Sequence, residues 1–341
     1  MAARLRGAFV IGLVIPASSF RLITLDLDNT LWPTAPVVAV ANAALCSALR
    51  ADHGVELATP AAVQQEMKRL RPLLEARGRR RSPGDGGDRC PVTYTQLRTA
   101  AIAHLLGDRP DAADAASQLF DVWLAARHAA AQDQLFPEAT SALCAMRAAY
   151  PDAIVAAVTN GRGDPRVMSP ALARCFDLTV SGEEPGIHPG RKPSPTIFRA
   201  AVARAGLGPR LVPGQPLPWW VHVGDDIFND VAASKALGAK TVWLDAPRQE
   251  AGDGVGLKSA RGERQASTDA DASYTTLEQS ERRTRQAQRA AVPASAVDAR
   301  ITAIAELPRA LAAIASGFNA HRPHLNRCLL YTSPSPRDGL L

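Results

Sequence analysis

Four short stretches of this sequence carry residue types that can do chemistry together. In the first, LITLDLDNTLWPT (residues 22–34), an apolar run ends in Asp26 and Asp28. Burying an ionised carboxylate is costly unless something offsets it. Residues two apart on a strand point the same way, about 6.6 Å apart at about 3.3 Å per residue. Two neighbouring carboxylates push one pKa up and hold the other low, so one can be nucleophile or ligand while the other carries a proton. The plainer alternative is a loop that merely follows a strand.

The second stretch, IVAAVTNG, ends in Thr159, Asn160 and Gly161, where a hydroxyl and consecutive backbone N–H groups suit a phosphate. The third, GRKPSPTIF, sets Lys192 just before a helical pattern, where a cation can neutralise that phosphate. The fourth, VHVGDDIFND, ends in Asp225, Asp226 and Asp230, a hard-oxygen set suited to Mg²⁺. Taken singly, these are an Asn-Gly turn, a solvated lysine and an acidic helix cap. Taken together, each at a strand end or helix start, they point to metal-assisted chemistry on a phosphate.

Something must bring the four stretches together. Strand-like apolar runs at 22–25, 154–158, 221–223 and 241–244 end in polar clusters, and helical patterns at 194–206 and 230–239 separate the later ones. That alternation predicts an α/β fold, a Rossmann-like parallel sheet with helices on both faces and ligands at the carboxyl ends of the strands. Residues 36–134 instead hold about four helical patterns, enough for a small bundle, and read as a helical cap inserted into the α/β core. The core then comprises 20–35, 135–246 and 294–316.

Residues 247–293 are polar and poor in large apolar side chains, which predicts disorder. Residues 1–19 combine Arg4, Arg6, an apolar stretch and small residues, and read as a targeting signal or a disordered extension. The tail, 317–341, ends in RCLLYTSPSPRDGLL, which resembles adapter read-through from Cys328 onward.

Bulk properties narrow the function. The 341 residues are 46 % hydrophobic and 21 % charged, enough for a sizeable core. No apolar run approaches the roughly 20 residues of a membrane span, so a soluble, cytoplasmic protein with no membrane partner is expected. A net charge of +6, with Arg grouped in a few loops such as 77–81, suits phosphorylated small molecules and is too weak to argue nucleic acid. Five widely spaced cysteines support neither zinc nor a disulfide framework.

In this order, Asp26–Thr30, Thr159, Lys192-Pro193 and Gly224–Asp230 resemble the four motifs of the haloacid-dehalogenase-like (HAD) hydrolases, and the insert after the first resembles their type I cap. DLDNTLWP, VTNG, KPSPTIF and HVGDD look most like bacterial phosphatases acting on flavin mononucleotide and a phosphorylated riboflavin precursor.

The resemblance implies roles. Asp26 would be the nucleophile that becomes an aspartyl-phosphate, and Asp28 the acid and then the base. Mg²⁺ would be held by Asp26, the Asp28 carbonyl and Asp225. Thr159, Asn160 and Lys192 would hold the phosphoryl oxygens, with Thr30, Asp226 and Asp230 in support. Arg191 is a candidate to share the lysine's role, and Asp226 to share the metal. The expected ligand is a small phosphorylated metabolite, and the expected state a monomer or homodimer.

Trp32 reads either as a ring that stacks on a flat leaving group or as a hinge packing residue. Tyr94 and Arg98 read as cap residues facing the site. His222 reads as structural, and Trp219-Trp220 as packing residues ahead of their strand. The alternatives are a phosphomutase, a dehalogenase or a non-catalytic phosphate-binding module. Dehalogenase relatives lack the second acid and need no metal, so Asp28 and Asp225 argue against that reading.

Overall fold

The computed structural model describes residues 20–81, 92–212, 214–246, 287 and 290–317. Residues 1–19, 247–286 and 318–341, with the expectations attached to them, lie outside the described residues.

Six strands form one parallel sheet: β1 (Leu22–Leu25), β2 (Ile154–Thr159), β3 (Leu178–Ser181), β4 (Leu217–Gly224), β5 (Ala239–Leu244) and β6 (Ala299–Ile301). Their order is β3-β2-β1-β4-β5-β6, so β1 is central. A central parallel strand is covered on both faces and must be apolar or, as at Thr24, have its polar atom hydrogen-bonded. Accordingly all four residues of β1 are buried.

The period-2 alternation of strands sorts side chains between the faces. On one face Ile23, Leu25, Val155, Ala157, Val221 and Val223 pack under two helices, α5 (Ala139–Ala149) and α9 (Leu307–Ala315). On the other, Leu22, Ala156, Val158 and Trp220 pack under α7 (Pro195–Arg204) through Ile197, Phe198, Ala201 and Val202. Two short helices lie on opposite faces, α6 (Pro170–Ala173) joining the first cluster through Leu172 and α8 (Ala233–Ala236) the second through Ala233. This is the expected α/β fold.

Between β1 and β2 lie α1 (Thr34–His53), α2 (Pro60–Arg81), α3 (Tyr94–Leu106) and α4 (Ala112–Asp133). They pack around a cluster of their own that includes Leu45, Leu49, Leu97, Ile102, Leu119, Phe120 and Trp123. Burying each such side chain contributes about 1.5–3 kcal/mol. Helix α1 is the one helix among the described residues long and apolar enough to cross a membrane. Its Ala41, Leu45 and Leu49 belong to the bundle cluster, and its Val37 to the cluster beneath the sheet.

Several local expectations are corrected. Residues 77–81 belong to the last turns of α2 rather than to a loop. Trp219 and Trp220 lie within β4, because that strand begins at Leu217. Strand β3 was not anticipated. The turn after β4 is a π-helix, Ile227–Ala232, ahead of the short α8, where one continuous helix was expected.

Candidate active site

The strand order reverses between β1's two neighbours, and at such a switch point the carboxyl ends of the strands leave a crevice. Asp26 immediately follows β1, Thr159 ends β2, and Gly224 ends β4 with Asp225 next. The backbone N–H of Asp26 donates to the Val223 carbonyl at 2.8 Å, extending the ladder by one bond and fixing the carboxylate at the sheet's edge.

Lys192 ties the acids together. Its ammonium donates to Asp26 Oδ1 and, at 2.7 Å, to Asp230 Oδ1. All three side chains are buried. Burial pushes the Asp26 carboxyl up to about 7, with Asp230 adding to the rise and Lys192 opposing it. Burial also works against the charge on Lys192, but Asp230 and Asp26 outweigh it and hold its pKa above the ordinary value. Asp230 is held down at about 2: burial opposes this, and Lys192 and His222 overcome it. The shared lysine thus leaves Asp230 ionised and Asp26 as the group able to change protonation near neutrality.

Gly224 makes room for this arrangement. A Cβ there would stand 2.4 Å from Asp230 Cγ, so any other residue would expel the carboxylate from the strand end. His222 supports Asp230 from below, with Nε2 3.3 Å from Asp230 Oδ1 and Nδ1 2.8 Å from Thr24 Oγ1. Trp220 Nε1 donates to that same hydroxyl at 2.9 Å. An ionised Asp230 can only accept, so Nε2–H faces it, and a neutral ring then leaves Nδ1 to accept from the Thr24 hydroxyl, which also lies 3.2 Å from the Val221 carbonyl. Burial lowers the His222 pKa, in keeping with a neutral ring. The structural reading of His222 accounts for these contacts.

The remaining candidates fall into two groups. Asp26, Asp225 and Asp230 offer oxygens within 4.8 Å of one another, a set able to hold a cation. Asp226 does different work: Oδ1 accepts from the N–H groups of Phe228 and Asn229 at 2.9 Å each, and Oδ2 from Asn229 Nδ2 at 3.0 Å. Thr30 Oγ1 donates to Asp26 Oδ2 at 3.3 Å. Thr159 Oγ1 accepts from Gly161 N at 3.2 Å. The Asn160 amide accepts from Lys192 N at 2.7 Å and donates to Lys192 O at 3.1 Å, so its side chain clamps the lysine loop. The Arg191 guanidinium lies 5.3 Å from the centre of the Tyr94 ring.

Asp28 faces the helical bundle. Arg127 Nη2, from α4, donates to both of its oxygens at 2.7 and 2.8 Å, and Trp32 Nε1 donates to Oδ1 at 3.0 Å. Trp32 is fully buried, so its ring is enclosed and offers no stacking face, and the packing reading is the one the geometry fits. Arg98 lies over the Trp123 ring at 3.8 Å, within the bundle. A second contact joins bundle to sheet: Glu183, after β3, accepts from the N–H groups of Tyr94 and Thr95 at 2.8 and 3.3 Å and from the Thr95 hydroxyl.

Sequence reasoning missed Arg127 and Glu183. For Arg127 a signal existed, because it sits four residues after Trp123 and three before Ala130, on the buried stripe of α4.

The donor set fits a hard divalent cation. Three carboxylates converge on one place with Lys192 as the cation seen among them, and oxygen donors of this kind suit Mg²⁺.

A 2-haloacid dehalogenase of Pseudomonas syringae pv. Tomato DC3000 is 26 % identical, with a TM-score of 0.56 over 86 % of this chain and 98 % of that one. A predicted phosphoglycolate phosphatase of Haemophilus somnus 129pt is 21 % identical (TM-score 0.38; 67 % and 86 % covered). The L-2-haloacid dehalogenase of Xanthobacter autotrophicus is 19 % identical (TM-score 0.42; 85 % and 97 % covered). No curated protein matches. The family model for haloacid dehalogenase-like hydrolases matches residues 20–238, well over half the chain, and the chain belongs to that family.

Proposed function

We propose that this hydrolase is a Mg²⁺-dependent phosphatase of small phosphomonoesters. The observation that carries the reading is the acidic trio Asp26, Asp225 and Asp230 standing beside a second first-motif acid, Asp28.

Asp26, Asp225 and the Asp28 carbonyl would hold the cation, with Asp230 beside them. When bound, the cation offsets negative charge between nucleophile and phosphate. Lys192 and Thr159 hold phosphoryl oxygens, and Asn160 keeps the lysine loop in place. An Asp26 oxygen attacks phosphorus, the bond to the leaving oxygen breaks, and Asp28 gives that oxygen a proton. Asp28 then takes a proton from water, whose oxygen attacks the aspartyl-phosphate. Phosphate leaves and the Asp26 carboxylate is restored. The four-helix bundle over the site is the element that selects the leaving group. A flavin leaving group loses its main support, because Trp32 is enclosed; sugar-like phosphates remain within the reading.

The P. syringae enzyme favours a second reading, in which Asp26 displaces a halide from a 2-haloacid. One assay separates them. Phosphate release from a phosphomonoester panel with and without Mg²⁺ is followed beside halide release from 2-chloropropionate. The proposal expects Mg²⁺-dependent phosphate and no halide. Halide without phosphate selects the dehalogenase.

A further inference from the structure

Folding brings two free thiols together that lie far apart in the sequence. Cys144 is exposed on α5, and Cys175, just after α6, is buried in the cluster beneath the sheet. The two thiols are in side-chain contact. A second contact joins the same two stretches in the same register. Three residues after Cys144, Arg147 donates through Nη1 and Nη2 to the carboxylate of Asp177, two residues after Cys175, at 2.8 and 2.9 Å. Both stretches are fixed from behind. Arg147 Nη1 also donates to the Ala153 carbonyl at 3.0 Å, and Asp177 Oδ2 accepts from Val155 N at 2.7 Å. Cys175 is held by α6, its N–H on the Leu172 carbonyl at 2.9 Å and its thiol on the Ala171 carbonyl at 3.3 Å.

The two thiols differ in reactivity. Burial pushes the Cys175 thiol up to about 11, and Cys144 adds to the rise. Cys175 therefore stays protonated near neutrality, and exposure makes Cys144 the thiol that an oxidant meets first. Sulfur atoms already in contact need little backbone movement to bond.

We propose that Cys144 and Cys175 form a redox modification site, which hydrogen peroxide closes to a disulfide and a thiol reductant reopens. The Cys144 thiolate sulfur attacks a peroxide oxygen, the O–O bond breaks, and the departing hydroxide becomes water with the proton that Cys144 gave up. The Cys175 sulfur then attacks the sulfur of the Cys144 sulfenic acid. The S–O bond breaks, and the hydroxyl leaves as water with the Cys175 proton. Two thiols are oxidised and one peroxide is reduced to two waters. The bond closes residues 144–175 into a loop that holds β2 with Thr159 and Asn160. That constraint acts chiefly on the unfolded chain, so oxidation raises stability. It also spares Cys144 the irreversible step to a sulfinic acid. Asp177 meets β2 at Val155, four residues before Thr159, so the pair lies about 13 Å down the strand from the site, at about 3.3 Å per residue. The inference stands whichever reaction the site performs.

The test takes the full chain, reduced, treats it with a small excess of hydrogen peroxide and alkylates the thiols that remain. Trypsin cuts after Arg147 and Arg174 and so places the two cysteines on separate peptides. The expected product is those two peptides joined through Cys144 and Cys175 and released by dithiothreitol. Oxidised wild type should melt at least about 5 °C above the reduced protein. Cys144→Ser and Cys175→Ser should each abolish that shift. In Cys175→Ser, Cys144 should go on to the sulfinic acid that the wild type avoids. Should Cys175→Ser not fold, the joined peptide and Cys144→Ser, at an exposed position, decide. No joined peptide, Cys144 joined instead to Cys90 or Cys328, or a melting shift that survives Cys144→Ser overturns the proposal.

Discussion

Arg127 reaches from α4 to Asp28 and places one nitrogen 2.7 and 2.8 Å from its two carboxylate oxygens. A residue of the bundle thus holds the side chain that the proposed phosphatase chemistry would use as acid and base. The pairing makes leaving-group activation and bundle position one question. Asp28→Asn keeps an acceptor for Arg127 and Trp32 but cannot donate the catalytic proton. Turnover of an alkyl phosphate should fall about 10²–10⁴-fold. The loss with p-nitrophenyl phosphate, whose leaving group needs no proton, should be much smaller. Equal losses on both would remove Asp28 from the acid role.

Asp225 and Asp226 are adjacent in sequence and separate in work. Asp225 belongs to the acidic trio, whereas Asp226 closes the turn after β4 through Phe228 and Asn229. Asp225→Asn should raise the Mg²⁺ concentration for half-maximal activity at least about tenfold, about 1.4 kcal/mol. Asp226→Ala removes a capping carboxylate, typically about 1 kcal/mol, and should lower Tm by a few degrees. Titrations of Mg²⁺ beside thermal melts check both, and a reversed pattern would exchange the two assignments.

Asp26 makes the metal-free protein sensitive to pH. Its carboxyl is pushed up to about 7 from an ordinary 3.8, chiefly by burial. Between those values the folded state keeps a proton that the unfolded state has lost, so this group's contribution to stability falls as pH rises. Metal-free Asp26→Asn should therefore melt a few degrees above wild type at pH 8, with the difference shrinking toward pH 4. Mg²⁺ binding near pH 6 should release a proton from Asp26, seen as a buffer-dependent heat in calorimetry. A melting difference that does not change with pH would contradict the assignment.

Glu183 joins the sheet to the first turn of α3, where a carboxylate complements the unpaired N–H groups and the helix dipole. Glu183→Ala should leave the far-UV circular dichroism unchanged and speed amide exchange at residues 94–96. Exchange unaltered at those amides would mean that the Thr93–Gln96 capping box holds the helix start by itself.

Much of the fold was legible because the physics was local. The run 22–25 is apolar but for Thr24, whose hydroxyl is hydrogen-bonded, as suits a strand covered on both faces, and the acids after it mark the sheet's edge. Strand β3 escaped because it has four residues, two of them only half-buried, and DLTVS shows neither a long apolar run nor clean alternation. The site's acids and lysine were legible because their spacing within each stretch is short. Trp32 misled in one of its two readings: closeness to Asp28 in sequence suggested a substrate face, but the loop folds back, with Asn29 N bonded to Trp32 O at 2.7 Å, and the ring turns inward. Arg127 stands 99 residues from Asp28, a separation that only the folded bundle closes.

The central claim is that Asp26 carries a phosphoryl group during turnover. Rapid acid quench of the enzyme with Mg²⁺ and a phosphomonoester, followed by borohydride reduction and peptide mass spectrometry, tests it directly. The account predicts reduction of Asp26 to homoserine only when substrate and Mg²⁺ are both present, with Asp28 unmodified. Steady Mg²⁺-dependent phosphate release with Asp26 never modified, or modification of Asp28 in its place, would contradict it.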